Sequence, residues 1–321
     1  MHRWQGLAVI ALWVWCVMVG SPAWARSFTD DLGRTIEVPD RPLRIVSLSD
    51  TDITIPLLEL GVMPVASHGR VGVNGAGAPY LRSGALLTGV DFDTAPIRFI
   101  GATEVDLEAV ANERPDLIIA EKGRLAALET LQDLAPTVVL DAAGLGATHV
   151  YSRLADLTGQ QTRLQTLETR YQAALQALKD TVHPERYTVS VIQPLNGKIS
   201  VYHTYRALGR VLRDAGFRFP PLIDAIPVGG RMEIGAERLP EIDADVIFDP
   251  YRADRGEGPQ GDIADMEALV PNFCAFLQAC RQGRYVMVSR EEAISNSYSA
   301  LFLMVSMVQA QMAERPRVTL K

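Results

Sequence analysis

Six cations stand directly after short apolar runs: Arg70, Lys122, Arg124, Arg206, Arg252 and Arg290. Asp50 and His68 close two such runs, Tyr205 and Tyr251 each precede one of the arginines, and Tyr80 and Arg82 sit in a Gly-rich connection over 69–89. Guanidinium groups pair with carboxylates in a fixed fork, so several arginines in one set of loops suit an anionic ligand. The setting sharpens the point. The chain carries 31 Lys+Arg against 38 Asp+Glu, a formal charge of −7, so this concentration of cations sits on an acidic body. These twelve residues form the candidate ligand-binding set.

Loops are positioned by what precedes them. The runs RIVSLS (44–49), PVASH (64–68), DLIIA (116–120) and TVVL (137–140) alternate with helix-like stretches, and the alternation resumes at YTVSVI (187–192), KISVY (198–202), DVIFD (245–249) and YVMVS (285–289). Strands alternating with helices predict parallel sheets covered on both faces. In such sheets ligands bind beyond the carboxyl ends of the strands, where the cations fall. Residues 28–42 predict a small hairpin turning at Asp31-Leu32-Gly33.

Between the two alternating halves the pattern changes. From Tyr151 to Lys179 there is no Pro, and Gly159 is the only Gly. Leu154, Leu157, Leu164, Leu167, Tyr171, Leu175 and Leu178 fall on one helical stripe. The spacing predicts one long helix over 151–182, an α/β lobe over 26–150 before it and a second over 183–321 after it. A rigid connection of that kind keeps a groove between the lobes largely preformed.

Residues 1–25 carry Arg3, an apolar core from Leu7 to Val19 and Ala23-Trp24-Ala25, with small residues at −3 and −1. This is the pattern of a secretory signal cleaved after Ala25, and the core is short for a membrane span of roughly 20 residues. The expected location is the periplasm. Cys16 lacks the small residues that precede a lipid-modified cysteine. Cys274 and Cys280 remain, six apart. On one continuous helix they would not share a face, so a disulfide requires the helix to end between them; a bridge and two buried thiols both stay open. No basic block suggests nucleic acid as a partner.

Enzyme signatures are missing: there is no G-x-S-x-G, no P-loop and no H-E-x-x-H. AAGLGATH (142–149) mimics half of a dinucleotide fingerprint, but His149 stands where the third glycine belongs. An exported dinucleotide-binding enzyme is the alternative from a different class. A carrier of bare metal ions using His68 and His203 is another, and the scattered histidines give it no spacing support.

One short unit is written twice. VDLEAVANERPDLIIA (105–120) and IGAERLPEIDADVIFD (234–249) each place a Glu eight residues before an Asp that leads into an apolar run: Glu108 to Asp116, and Glu237 to Asp245. With RIVSLSDTDITIPLLELGVMPVASH, the long stripe and VLRDAGF, these units resemble periplasmic binding proteins of the iron-complex and vitamin B12 type, which serve ABC importers. PYLRSG and VYHTYRALGRVLRDAGF look most like the ferric-siderophore members. The resemblance covers nearly all of the chain after the leader. It implies two Rossmann-like α/β lobes joined by a single long α-helix, a ferric chelate in the cleft, no catalysis, no cofactor and no protein-bound metal. It also implies a monomer that docks on a permease dimer through Glu108 and Glu237, one acid per lobe. Hydroxamate binders of the family carry an arginine just after the glycine that opens the first unit. Here Gly101 is followed by Ala102-Thr103, which puts carboxylate-type ferric chelates ahead. Heme and cobalamin are the alternatives within the same fold.

Overall fold

The computed structural model describes residues 25–72, 77–123, 125, 127–253 and 258–313. The leader before Ala25 and Arg124 lie outside the described residues. The chain opens with strands β1 (Ala25–Thr29) and β2 (Thr35–Pro39), paired antiparallel with Thr29 opposite Thr35. The expected hairpin is present. Its turn is organised by the buried Asp30 carboxylate, which accepts the backbone N–H groups of Leu32 and Arg34 and the Arg34 guanidinium. Gly33 sits at φ +77°, where a Cβ would be strained.

The first lobe follows. Strand β3 (Ile45–Ser47) leads into a wide π-type turn over Asp50–Thr54 and helix α1 (Ile55–Glu59). Next come β4 (Ala66–Ser67), α2 (Gly84–Thr88), β5 (Arg98–Phe99), α3 (Leu107–Asn112), β6 (Leu117–Glu121), α4 (Leu128–Leu134) and β7 (Thr137–Leu140). The strands form one sheet in the order β5-β4-β3-β6-β7, parallel throughout. β3 is buried along its whole length and β6 from Leu117 to Ala120, as apolar runs such as LIIA require of a sheet covered on both faces.

Two helices connect the lobes, α5 (Ala142–Thr158) and α6 (Gln161–Val182). The helix expected to run unbroken over 151–182 is therefore divided. Gly159 caps α5 in the left-handed region (φ +70°), and α6 starts anew after Gln160. α5 also begins well before Tyr151 and is kinked at Gly146. The stripe survives the break because both helices bury it in one continuous core: Tyr151, Leu154 and Leu157 from α5, and Leu164, Leu167, Tyr171, Leu175 and Leu178 from α6.

The second lobe contains β8 (Val189–Leu195), β9 (Lys198–Tyr202), α7 (Arg206–Ala215), α8 (Pro221–Asp224), β10 (Arg231–Ile234), β11 (Val246–Tyr251), α9 (Gly258–Leu269), α10 (Gln278–Arg281), β12 (Tyr285–Ser289), α11 (Arg290–Ala293) and α12 (Tyr298–Met312). The sheet order is β10-β9-β8-β11-β12. β8, β11 and β12 are parallel, but β9 runs antiparallel to both β8 and β10, so this sheet is mixed where a parallel one was expected. The cause is a two-residue hairpin between β8 and β9. Asn196 (φ +53°) and Gly197 (φ +74°) turn the chain so that Leu195 faces Lys198. Positive φ at both central positions is what an Asn-Gly hairpin provides.

Cys274 and Cys280 are bonded, with Cα atoms 5.1 Å apart. The helical path does end between them: a 3₁₀ turn closes at Ala275 and α10 begins at Gln278. Closing so short a loop constrains the unfolded chain modestly. Cys274→Ser with Cys280→Ser should lower the unfolding free energy by about 2 kcal/mol, measured by urea denaturation against the oxidised parent.

The last helix ties the lobes together. α12 buries Leu301, Met304, Val305 and Val308 and packs on α6 and α7. Its first turn meets Glu59 at the end of α1. The Glu59 carboxylate accepts the backbone N–H groups of Tyr298 and Ser299, each at 2.8 Å, and the Tyr151 hydroxyl from α5. A buried carboxylate at a helix N-terminus satisfies otherwise orphaned donors and offsets the positive end of the helix dipole. Burial, and after it the charge of Glu59, hold the Tyr151 hydroxyl far above its ordinary pKa, so it stays a donor. Three elements from the first lobe, the connection and the second lobe thus meet at one carboxylate.

Candidate ligand-binding site

The two glutamate units do the same local work in both lobes. The Asp116 carboxylate accepts the N–H groups of Leu43 and Arg44 at 2.7 and 2.9 Å, where the chain enters β3. The Asp245 carboxylate accepts the N–H and hydroxyl of Thr188, both at 2.8 Å, where the chain enters β8. Each Asp therefore pins the first strand of its lobe to the neighbouring strand, β6 or β11. The two Glu residues are exposed in the first turns that open the units. Glu108 lies in α3, which Asp106 caps, and Glu237 lies in a 3₁₀ helix over Ala236–Ile242 that contains Pro240. Both turns follow a strand that runs in the common direction of its sheet, so both start on the carboxyl-end side.

The same side carries the arginines. Arg70 follows β4. Its Nε and Nη2 donate to the two oxygens of Asp50 at 2.9 and 3.2 Å, a bidentate pair. Asp50 is only 1% exposed, so it stands behind Arg70 and orients it rather than facing a ligand. Burial opposes the Arg70 charge, but the Asp50 hydrogen bond and charge, helped by Glu291, raise its pKa. The backbones of Arg70 and Tyr80 exchange hydrogen bonds of 2.8 and 2.9 Å, which folds the Gly-rich connection back on itself. That fold delivers Arg82. Its N–H donates to Asp50, and its guanidinium reaches across to the second lobe, where Nε lies 2.9 Å from Glu291 Oε2.

Arg290, beside Glu291 at the end of β12, presses on Arg82 from the second lobe. Burial holds the Arg82 guanidinium below its ordinary pKa, and the charges of Arg70 and Arg290 add to this against the pull of Glu291. Tyr205 is buried with its hydroxyl beside Arg290 and its ring edge-on to Tyr202; burial raises its pKa, so it is a neutral support for the guanidinium. Arg206 spans the lobes in the other direction, with Nη1 at 3.3 Å from Asp52 Oδ1, an oxygen that also accepts from Asn296 Nδ2 at 2.5 Å.

The structure thus brings Arg70, Arg82 and Arg290 to one interlobe seam, which Arg206, following the reversed strand β9, joins through Asp52. Tyr251 and Arg252 stand half-buried at the end of β11. Two expected residues go elsewhere. His68 is fully buried in the first lobe, because its backbone continues the sheet by donating to Ser47, and it offers no surface to a ligand. Lys122 is drawn to Asp141, 2.8 Å away, and joins a separate cluster with Asp31 and His149. The His203 ring is engaged by Thr204, and among the described residues no group of three or more His, Cys, Asp or Glu is arranged to hold a metal ion. Asp52, Glu291 and Asn296 were missed in the sequence. The first two lie one or two residues beyond positions already singled out after β3 and β12; for Asn296 no signal exists.

Two other features lie outside the seam. A cavity of about 420 Å³ is lined by Thr35–Glu37 and Gln132–Thr137, with Glu37 and Asp133 its charged groups, and it is unsuited to an anion. In the second lobe, Asp249 is fully buried within β11. Burial pushes its carboxyl from an ordinary 3.8 up to about 8; the Tyr285 hydroxyl, donating at 2.6 Å, works against this, and Asp262 and Asp265 add to it. The folded protein therefore holds a proton that the unfolded chain releases near pH 4. Stability should fall as pH rises from about 4 to 8 and then level off. Asp249→Asn should remove that slope, seen in urea midpoints at pH 5 and pH 8.

Two α/β lobes with a cationic seam between them define a binding protein of the clamp type. The comparisons agree. Residues 82–265 match the family model described as periplasmic binding protein, and the chain belongs to that family. It is thus a transport component rather than an enzyme. A probable siderophore-binding lipoprotein, YfiY, of Bacillus subtilis is 27% identical over 244 residues, covering 72% of this chain and 71% of the relative. The ferric enterobactin-binding periplasmic protein FepB of Escherichia coli is 25% identical over 296 residues, covering 87% and 88%. The crystal structure of Staphylococcus aureus SirA complexed with staphyloferrin B has the same fold, with a TM-score of 0.71 at 17% identity over 89% of this chain and 98% of that one.

Proposed function

We propose that this protein captures an anionic ferric chelate in the periplasm and delivers it to the permease dimer of an ABC importer. One observation carries the reading: Arg70, Arg82 and Arg290 converge from both lobes on the seam at the strand ends, each held by an internal partner. The names of the relatives support it, since one is called siderophore-binding and another ferric enterobactin-binding. The residues that contact the chelate are Arg70, Arg82, Arg206, Arg252 and Arg290, with Tyr80 and Tyr251 at the margins, while Asp50 and Tyr205 position two of them. Arg124 completes the set from outside the described residues. The iron arrives wrapped by its chelator, so no protein ligands to the metal are needed. The leader is removed after Ala25, the product is a monomer, and the lobes over 26–150 and 183–321 each present one docking acid, Glu108 or Glu237.

A ligand panel tests this. All four tryptophans lie within residues 1–24, so the mature chain reports through its tyrosines. Tyrosine emission should be quenched saturably by ferric citrate or another polycarboxylate ferric chelate, and not by free zinc or NAD. A response to heme or cobalamin alone would move the ligand assignment, and a response to free metal alone would refute the chelate reading.

A further inference from the structure

The seam is closed by acids that belong to the protein. Arg82 of the first lobe is held by Glu291 of the second, with both side chains 14% exposed. Ser83 adds to the same contact, its hydroxyl donating to the Glu291 carbonyl at 2.8 Å. In the reverse sense, Asp52 of the first lobe holds Arg206 and Asn296 of the second. Arg82 also stands among like charges, Arg70 and Arg290, so its pairing with Glu291 relieves a local excess of positive charge. A buried guanidinium requires an anion, and here that anion is an internal side chain at the position a ligand carboxylate would take.

We infer that Glu291 is a specificity-determining residue: its carboxylate occupies Arg82 as a surrogate ligand, and cargo must displace it. This rests on the reading of the seam as the chelate site. The consequence is selection by charge. An anionic chelate replaces the carboxylate it expels, so Arg82 keeps a partner and Glu291 moves toward solvent. A neutral chelate would leave Arg82 without an anion and cannot open the pair at comparable affinity. The selection is a penalty against the wrong ligand as much as an attraction to the right one.

Glu291→Gln keeps the shape and removes the charge. Ferric citrate should bind this variant roughly tenfold more tightly than the parent, with a steeper dependence on salt, and a neutral ferric trihydroxamate, which no longer has to break the pair, should gain affinity as well. Equal or weaker binding of ferric citrate by Glu291→Gln would overturn the inference, because Glu291 would then only be orienting Arg82. Should no ferric chelate bind even the parent, the chelate reading fails, and Arg82 alone decides the remainder. Its modification by phenylglyoxal, followed by peptide mass spectrometry, should be several-fold faster in Glu291→Gln than in the parent. A faster rate sustains the surrogate contact, and an unchanged rate removes it. Thermal melts of both proteins establish that the variant is folded.

Discussion

Replacing Glu108 and Glu237 together by arginine is expected to abolish uptake of the iron chelate while leaving its affinity for the purified protein unchanged. The two acids are exposed, lie in different lobes and open equivalent units on the carboxyl-end sides of their sheets. Neither touches the arginine seam in a described contact. In the proposed docking, a two-fold permease presents two equivalent basic sites, so one acid per lobe would engage both at once, and reversing both charges would turn two attractions into two repulsions. Like-charge juxtaposition at an interface costs several kcal/mol, enough to remove a transient complex. Each single reversal should leave partial uptake. A purely local role predicts something different: an acid in a first helical turn contributes about 0.3–1 kcal/mol to stability, and its loss would shift the melting temperature without touching transport. Iron uptake in cells and chelate titration with purified protein together separate the two roles.

The second large effect concerns the seam. Arg82→Ala should weaken binding of ferric citrate by about 2–5 kcal/mol, which is roughly 30-fold or more. Part of that loss is the penalty of leaving a ligand carboxylate at the seam without its guanidinium partner. Arg70→Ala should act in the same direction and also destabilise the fold, since Asp50 is buried and would lose its bidentate partner. An affinity unchanged by Arg82→Ala would take this residue out of the site.

Much of this arrangement can be read from residue order. Apolar runs followed by polar loops placed four of the five strands of each sheet, missing β5 and β10, and residues just past their ends include Arg70, Arg206 and Arg290. The repeated Glu–Asp spacing marked equivalent units, and the structure adds why Asp116 and Asp245 matter: each anchors the entry of the first strand in its lobe. Three things were not legible. The helical stripe across 151–179 records which side faces the core and not whether the helix is continuous, so Gly159 breaks it without disturbing the stripe. Asn196-Gly197 is a hairpin signal in its own right, but a reading committed to alternating strands and helices passes over it. Pairing partners depend on tertiary distance. Nothing near Lys122 in sequence says that Asp141 claims it, and nothing near Arg82 says that Glu291 crosses from the other lobe to hold it.

The central claim is that the arginine seam is where iron cargo rests. Crystals of the mature protein grown with ferric citrate, measured at the iron absorption edge, locate the metal directly. The account predicts one anomalous peak between the lobes, within a chelate's radius of the Arg70, Arg82 and Arg290 guanidinium groups. A peak elsewhere, beside the Lys122–Asp141 cluster or in the cavity by the first hairpin, would contradict it.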